Sequence, residues 1–339
     1  MTDKPRPTTI SDIAQEAGVS VGTVSRALSK GNLVNRVTRE RIRTIAEAHH
    51  YSPNLFARNL RTRKAGAIAV VIPLGHEREQ HLSDPFFAMM LGYLADKMAE
   101  RGDDLLLSRV IPNDANWLSR YINSGRIDGI IVIGQSDQSD ALDAMSDDYA
   151  PLVVWGAKLP HQRYCTVGSD NRLGGLLATV HLFERGCKSV AFIGDPSLPE
   201  FEQRLDGCRA GCAALGIDSA IQIIPAHLTP DRAYGEMMDF LKRGDVPDGF
   251  VAASDVIAMS ALRAFGEMGI AVPGQVKITG YDDLGLASHT APPLTSVQQD
   301  LEQSASLLVD LVYRRINGEM TESVVLAPRL IARESTGGV

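Results

Sequence analysis

The chain has 339 residues, 44% hydrophobic and 22% charged, with 30 glycines and 17 prolines. At roughly 100 to 200 residues per domain this suits two or three domains with ample core, and it excludes collagen-like, mucin-like and largely disordered chains. The net charge of −7 hides an asymmetry: residues 1–64 carry 12 Lys and Arg against 5 Asp and Glu, the remainder 22 against 36, which predicts a polyanion-binding head on an acidic body.

Residues 8–29 read TTISDIAQEAGVSVGTVSRALS. Thr9 with Asp12 three residues on is a capping-box-like start, and Ile10, Ile13, Ala14 and Ala17 share one helical face. Gly18 suits the left-handed conformation that ends this helix, Val19 plugs the corner, and Ser20 caps a second helix with Val24, Ala27 and Leu28 inward. Val21, Gly22, Ser25 and Arg26 are then left on its outer face. Two short helices around a glycine turn are a helix-turn-helix, whose second helix would enter the major groove. Arg26 can fork onto guanine or a phosphate, Val21 can touch a thymine methyl, and Thr23 and Ser25 can bind phosphate oxygens. With Thr9, Ser20, Gly22, Ser29, Asn35 and Thr38 these make the candidate DNA-facing set. The bland alternative is a helical hairpin with a solvated polar face.

A third helix is expected from about Thr38 to His50. After it, Pro53 can open a helix reaching only Leu60 or Arg61, too short to be stable alone, since about 12 to 15 residues are marginal even for good formers. Such a segment orders when something docks it.

The ThrIleSerAspIleAla, AlaGlyValSer, ThrValSerArgAlaLeu and ProAsn…AlaArg…Leu runs resemble the lactose-repressor/galactose-repressor (LacI/GalR) family of bacterial transcription regulators, over nearly the whole chain. The resemblance implies a homodimer on a pseudo-palindromic operator, with paired hinge helices in the minor groove, Leu60 as the leucine wedged between base pairs, and Asn54, Ala57 and Arg58 beside it. An apolar wedge costs a few kcal/mol of unstacking, offset by the kinked DNA covering more protein; packing of Leu60 on its own core is the alternative. One departure is that Gly22 stands where the family often reads a base, so readout leans on Val21, Arg26 and DNA deformability.

From Ala67 onward apolar runs alternate with helical patterns. Strands are expected at 68–72, 105–107, 129–133, 152–155, 190–193, 221–224, 249–252 and 276–279. Helices are expected at 86–101, 115–124, 173–185, 204–215, 231–243, 256–268 and 301–316. The alternation argues for two parallel α/β lobes. The expected division is a helix-turn-helix domain over 1–52, a hinge over 53–65, and a core over 66–339. Its N-lobe would be about 66–163 with 295–322, its C-lobe about 164–294 with 323–339, and 156–170 would be a crossover. The resemblance adds a periplasmic-binding-protein-like core with a ligand cleft between lobes.

Ligands of parallel α/β sheets sit beyond the carboxyl ends of strands, which nominates Pro73 and the loop to Phe86 and Phe87, Trp155 and Gly156, the Asp195 to Arg204 loop, Ser254 and Asp255, and Asp282. Phe87 also shares a helical stripe with Leu91, Leu94 and Met98, so core packing is an equal reading. Arg204 matches the family's effector-contacting arginine, or pairs with Glu200, Glu202 or Asp206; Asp282 matches its acidic residue, or caps the next helix. A charged fork, a carboxylate and the rings of Trp155 or Phe86 suit a mono- or oligosaccharide. Ser254-Asp255 departs from the family's common Asn-Asp, which leaves the sugar open and a purine-type effector in play.

The four cysteines lack zinc spacing and read as buried thiols, and the histidines are not spaced for metal. No catalytic, nucleotide or cofactor motif is present, so neither an enzyme nor a cofactor is expected. With no signal-peptide-like start and no apolar run near about 18 residues, a bacterial cytoplasmic location and no membrane partner are expected. The expected function is a sugar-released repressor. The alternatives are a regulator that requires a non-sugar metabolite and, further off, a solute-binding protein.

Overall fold

The computed structural model describes residues 9–28, 34–51, 65–114, 116–218 and 220–338. It divides into two compact units, Met1–Ala65 and Gly66–Val339.

In the first unit α1 (Ile10–Glu16), α2 (Val21–Leu28) and α3 (Arg36–Ala48) enclose Ile13, Ala14, Ala17, Val24, Ala27 and Ile42. The α1 cap is the box read from the sequence: Thr9 Oγ1 accepts from the Asp12 N–H at 3.4 Å, and Thr9 N–H donates to Asp12 Oδ2 at 2.7 Å. Gly18 has φ +61°, a turn that a Cβ would strain. Ser20 Oγ accepts from the Thr23 N–H at 3.2 Å, satisfying a first-turn donor of α2. The third helix starts earlier than expected because Asn35, whose Oδ1 accepts from the Val37 N–H at 2.8 Å, supplies its cap.

The second unit holds two six-stranded sheets of identical plan. The elements in chain order are β1 (Ala67–Pro73), α4 (Pro85–Arg101), β2 (Asp104–Val110), α5 (Ser119–Ile122), β3 (Gly129–Ile133), α6 (Ser139–Asp148), β4 (Leu152–Trp155), β5 (Cys165–Ser169), α7 (Asn171–Glu184) and β6 (Val190–Ile193). Then follow α8 (Pro199–Ala214), β7 (Gln222–Ile224), α9 (Pro230–Leu241), β8 (Gly249–Ala252), α10 (Asp255–Glu267), β9 (Lys277–Asp282), β10 (Thr295–Gln298), α11 (Leu301–Ile316), β11 (Val324–Leu326) and β12 (Arg329–Ile331). The first sheet runs β11-β5-β4-β3-β1-β2, all parallel; the second runs β12-β10-β9-β8-β6-β7, with only β12 antiparallel.

Strand period decides the core. Ile68, Val70 and Ile72 pack to one face of the first sheet with Met90 and Leu94 of α4 and Leu308 and Val312 of α11, while Ala69 and Val71 pack to the other with Trp117, Leu142 and Met145. Both faces being covered is why these strands read as unbroken apolar runs.

The lobes are divided differently from the expectation. Residues 156–170 are not all crossover: Cys165–Ser169 pairs with β4, Val153 opposite Cys165, and completes the first sheet. Thr295–Gln298 belongs to the second sheet, beside β9, and Val324–Leu326 belongs to the first, beside β5. The chain therefore changes lobe after 169, after 298 and between 326 and 329. Of the helix expected at 115–124 only Ser119–Ile122 forms, and α6 was not expected at all. The helix expected to begin at Arg204 begins at Pro199, which suits a first helical position.

Among the described residues no helix is long and apolar enough to cross a membrane, and no group of three or more His, Cys, Asp or Glu is placed to hold a metal ion.

Candidate DNA-reading helix and candidate ligand cleft

On α2, Val24 and Ala27 are buried in the head while Val21 is 43% exposed, Gly22 and Arg26 are exposed and Thr23 and Ser25 are half-buried. The helix thus presents one outward strip containing Val21, Gly22 and Arg26. Arg26 lies along its own helix, its Nε donating to the Gly22 carbonyl at 3.1 Å. The Ser20 and Thr23 hydroxyls are 2.9 Å apart at the helix N-terminus. Asn35 caps α3, Thr38 is half-buried in its first turn, and Thr9 is half-buried at the α1 cap. Across the head His49 Nε2 meets Glu16 Oε2 at 2.6 Å, tying α3 to α1. The expected DNA contacts Ser29, Asn54, Ala57, Arg58 and Leu60 lie outside the described residues.

The second unit contains an open cleft with about 730 Å³ of empty volume between its two sheets. Strand order explains its position. β1 lies between β2 and β3, and β6 between β7 and β8, so successive connections leave in opposite directions and open a crevice at the carboxyl ends. Pro73 ends β1, Ile133 ends β3 and Trp155 ends β4; from the other lobe come Arg204 of α8, Ser254 after β8 and Asp282 at the end of β9. With Phe86 and Phe87 of α4, these nominated residues line one cleft; Gly156 and Asp255, nominated beside them, do not line it.

One wall is aromatic: Phe86 and Trp155 have ring centroids 4.8 Å apart at 50°, and Phe87 meets Phe86 edge-on at 5.8 Å. Phe87 serves both readings, packing with Met90, Leu94 and Met98 while reaching the cleft.

The opposite wall is charged. Arg204 is 3% exposed; its Nε donates to Asn171 Oδ1 at 2.9 Å, its Nη1 to the Ala253 carbonyl, and its guanidinium lies 3.6 Å from the centre of the Tyr281 ring. The anticipated ion pairs with Glu200, Glu202 or Asp206 are not its partners; Asp206 instead holds Arg209 at 2.8 Å. Arg204 is fixed in place because α7 and α8 touch backbone to backbone: a Cβ on Gly175 would meet the Arg204 carbonyl oxygen, and one on Gly207 that of Arg172.

Asp282 accepts from Gln299 Nε2 at 2.6 Å, and from the Asp255 N–H at the start of α10. Burial pushes its carboxyl up to about 7 against the opposing pull of Arg204 and of the Gln299 hydrogen bond. Behind it, Asp255 is raised well above the carboxylate range by burial and by the Asp282 charge, although Ser296 Oγ and the Leu284 N–H donate to it at 2.6 and 2.7 Å. Ser254 Oγ caps α10, accepting from the Ile257 N–H at 3.3 Å.

Within the nominated 73–86 and 195–204 stretches, and beside them, the structure places side chains that were not singled out from the sequence. Asp84 caps α4 through the Phe86 N–H at 2.9 Å and takes Gln80 Nε2 at 3.0 Å; burial raises its carboxyl against these hydrogen bonds. His76 Nδ1 meets Ser136 Oγ at 2.5 Å, and burial lowers its pKa against the pull of Asp137 and Asp195. Glu200 reaches across the cleft to accept from the Ala157 N–H at 3.1 Å. Outside the cleft lining, Arg232 of α9 pairs at 3.4 Å with Glu77 of the other lobe, whose side chain is 3% exposed. The Asp84-Pro85 pair, a cap followed by a first-position proline, was a legible helix start facing the strand ends; His76, Gln80 and Ser136 come from loops without a motif, and Glu200 and Arg232 from the first turns of α8 and α9.

Among the described residues, Trp155 Nε1 and Gln80 Oε1 are buried at this cleft without a hydrogen-bond partner. A buried polar atom costs free energy unless it is paired, so both are open to a ligand with polar groups of its own.

Comparison with known proteins agrees with this division. Residues 9–54 match the model described as bacterial regulatory proteins, lacI family, and residues 179–336 match a periplasmic binding protein-like domain. The HTH-type transcriptional regulator CelR of Thermobifida fusca is 31% identical over 341 residues, covering 98% of this chain and 99% of the relative. A solved CelR–cellobiose complex superposes with a TM-score of 0.71 at 30% identity, covering 97% of this chain and 99% of that one. The transcriptional repressor PurR of Pasteurella multocida is 28% identical, covering 96% of this chain and 98% of the relative. The lac repressor dimer bound to operator superposes with a TM-score of 0.83, over 98% of this chain and 99% of that one, and at 23% identity speaks for the fold. With a helix-turn-helix head, two parallel-sheet lobes and a relative of this similarity along its whole length, the chain belongs to the lacI family of bacterial regulatory proteins, which are DNA-binding transcription regulators and not enzymes.

Proposed function

We propose that the protein is a cytoplasmic repressor that binds a pseudo-palindromic operator as a homodimer and leaves it when a small sugar occupies the cleft. The observation that carries the sugar reading is the juxtaposition in one cleft of an aromatic wall, Phe86 with Trp155, and a polar wall, Arg204 with Asp282 and Ser254. Sugars present an apolar ring face and a fringe of hydroxyls, and a site that hydrogen-bonds hydroxyls rejects ligands that leave its own polar groups unpaired. The complex of the relative CelR with cellobiose supports the same class of effector.

The α2 strip of Val21, Gly22 and Arg26 would read the major groove, with Thr9, Ser20, Thr23, Ser25, Ser29, Asn35 and Thr38 toward the backbone. In the hinge, Leu60 would be the minor-groove wedge, flanked by Asn54, Ala57 and Arg58. Effector bound between the lobes would alter the spacing of the paired hinges. A coupling of about 1 to 3 kcal/mol changes DNA affinity by roughly 5- to 150-fold.

The test is binding of the purified protein to fragments from its own genomic neighbourhood, at fixed salt, with and without a panel of mono- and disaccharides. Fixed salt is needed because phosphate contacts make affinity steeply salt-dependent. Tight binding abolished by one sugar is the expected result. Binding that appears only with ligand would reverse the sign of the response, and binding no tighter than to unrelated DNA would remove the operator reading.

A further inference from the structure

Charge at the cleft is lopsided, in a way that bears on which sugars can enter. Among the described residues that line it are the acids Asp84, Glu200 and Asp282 and no lysine. Arg204, the one permanent cation among those residues, is already engaged with Asn171, the Ala253 carbonyl and the Tyr281 ring, beside Asp282. His76 is no anion receptor, since burial favours its neutral form.

Helix N-termini are ordinarily where a parallel α/β site takes up phosphate. Three converge on this cleft, those of α4, α8 and α10, and each carries the protein's own acids. Asp84 caps α4, taking the Phe86 N–H. Glu200 and Glu202 sit in the first turn of α8. Ser254 Oγ and the Asp282 carboxyl take N–H groups of α10. Acidic side chains thus stand at the first two, and at the third the N–H groups that a phosphate would use are already taken.

Hydrogen-bond polarity points the same way. Carboxyl oxygens of Asp84 and Glu200 and the unpartnered Gln80 Oε1 are acceptors, while Trp155 Nε1 is an unpartnered donor, all of them described residues of the lining. Such a wall suits a ligand whose groups both donate and accept. Hydroxyl groups do both; ionised phosphate and carboxylate groups only accept. We infer that the cleft selects an uncharged polyhydroxy ligand and rejects the phosphorylated and carboxylated forms of the same sugar, with Asp84 and Glu200 setting the filter. The inference rests on the sugar reading above and narrows it.

The experiment is a binding titration of the full-length protein, by calorimetry and thermal shift, against matched probes. These are glucose with glucose 6-phosphate and glucuronate, galactose with galactose 6-phosphate and galacturonate, ribose with ribose 5-phosphate, and cellobiose with cellobionate. An uncharged member is expected to bind at least tenfold tighter than its anionic partners. In an Asp84→Asn/Glu200→Gln double variant that gap should narrow at least threefold through a gain for the anionic member. Both substitutions keep an acceptor oxygen and nearly the same shape, and circular dichroism with the melting temperature reports whether the variant is folded. An anionic member that binds as tightly as its uncharged partner overturns the filter while leaving the sugar reading intact, as does a gap that the folded variant leaves unchanged. No binding by any member overturns the sugar reading and the filter with it.

Discussion

Replacing Asp282 by Asn should change how the protein's stability depends on pH. In the unfolded chain an aspartate ionises near pH 4, whereas in the fold burial holds this one protonated to about 7. Between those values the unfolded chain gives up a proton that the folded chain retains. The wild type therefore loses stability as pH rises through the window, and above about 7 the loss is complete. Each tenfold change in proton affinity is worth about 1.4 kcal/mol, so the full loss is on the order of 4 kcal/mol. The amide accepts from Gln299 as the acid does but does not titrate, so Asp282→Asn removes this slope. Between pH 5 and pH 7 the variant should gain about 2 kcal/mol on the wild type. At least about 1 kcal/mol should survive the easier ionisation of Asp255 once its neighbour is neutral. Urea unfolding followed by circular dichroism at pH 5, 6 and 7 reads the difference directly. Parallel pH profiles for the two proteins would refute the burial of a titrating carboxyl at the end of β9.

Three further substitutions probe other parts of the structure. Thr9→Ala removes one side of the capping box and should cost the head about 1 kcal/mol, seen as roughly fivefold faster amide exchange in α1, with Thr9→Ser close to wild type. Gly207→Ala drives a methyl into the Arg172 carbonyl and should destabilise the core unit by about 3 kcal/mol; a wild-type melting temperature would mean that α7 and α8 are not packed backbone to backbone. Arg232→Ala leaves the buried Glu77 carboxylate without its partner on the other lobe and, with the arginine half-exposed, should cost about 1 to 2 kcal/mol. It should also raise the radius of gyration in small-angle scattering as the lobes part; an unchanged value would show that this ion pair does not hold the lobes together.

The helix-turn-helix was legible because every signal is local. The Thr9–Asp12 box, the Gly18 turn and the Ser20 cap need no distant partner, and the structure places each where the spacing puts it. Central strands were legible for a different reason, being buried on both faces and hence unbroken in apolar character. Cys165–Ser169 was misread because Thr166, Gly168 and Ser169 interrupt that character; it is a strand by virtue of pairing with β4 and β11, which no local window contains. The α6 helix escaped because SDALDAMSDD is rich in Ser and Asp, poor helix formers whose placement here is decided by Ala141, Leu142 and Met145 against the sheet. For the cleft, the rule about strand ends reached the residues that terminate strands. It also reached the stretches that carry His76, Gln80 and Glu200, but could not single out these side chains, since no local pattern says which residues of a loop or a first turn face the gap.

The seam between Val324–Leu326 and Arg329–Ile331 has a consequence for how the protein is made. Two intervening residues separate a strand that edges the first sheet from one that edges the second. Neither lobe holds its full set of strands until synthesis has reached this stretch, and no single cut of the chain yields one intact lobe. During translation the helix-turn-helix head, whose core residues among those described fall within the first 51, can close long before either sheet does. A nascent chain stalled before residue 324 would therefore present a folded head on a core with both sheets open at an edge, the kind of surface that chaperones recognise.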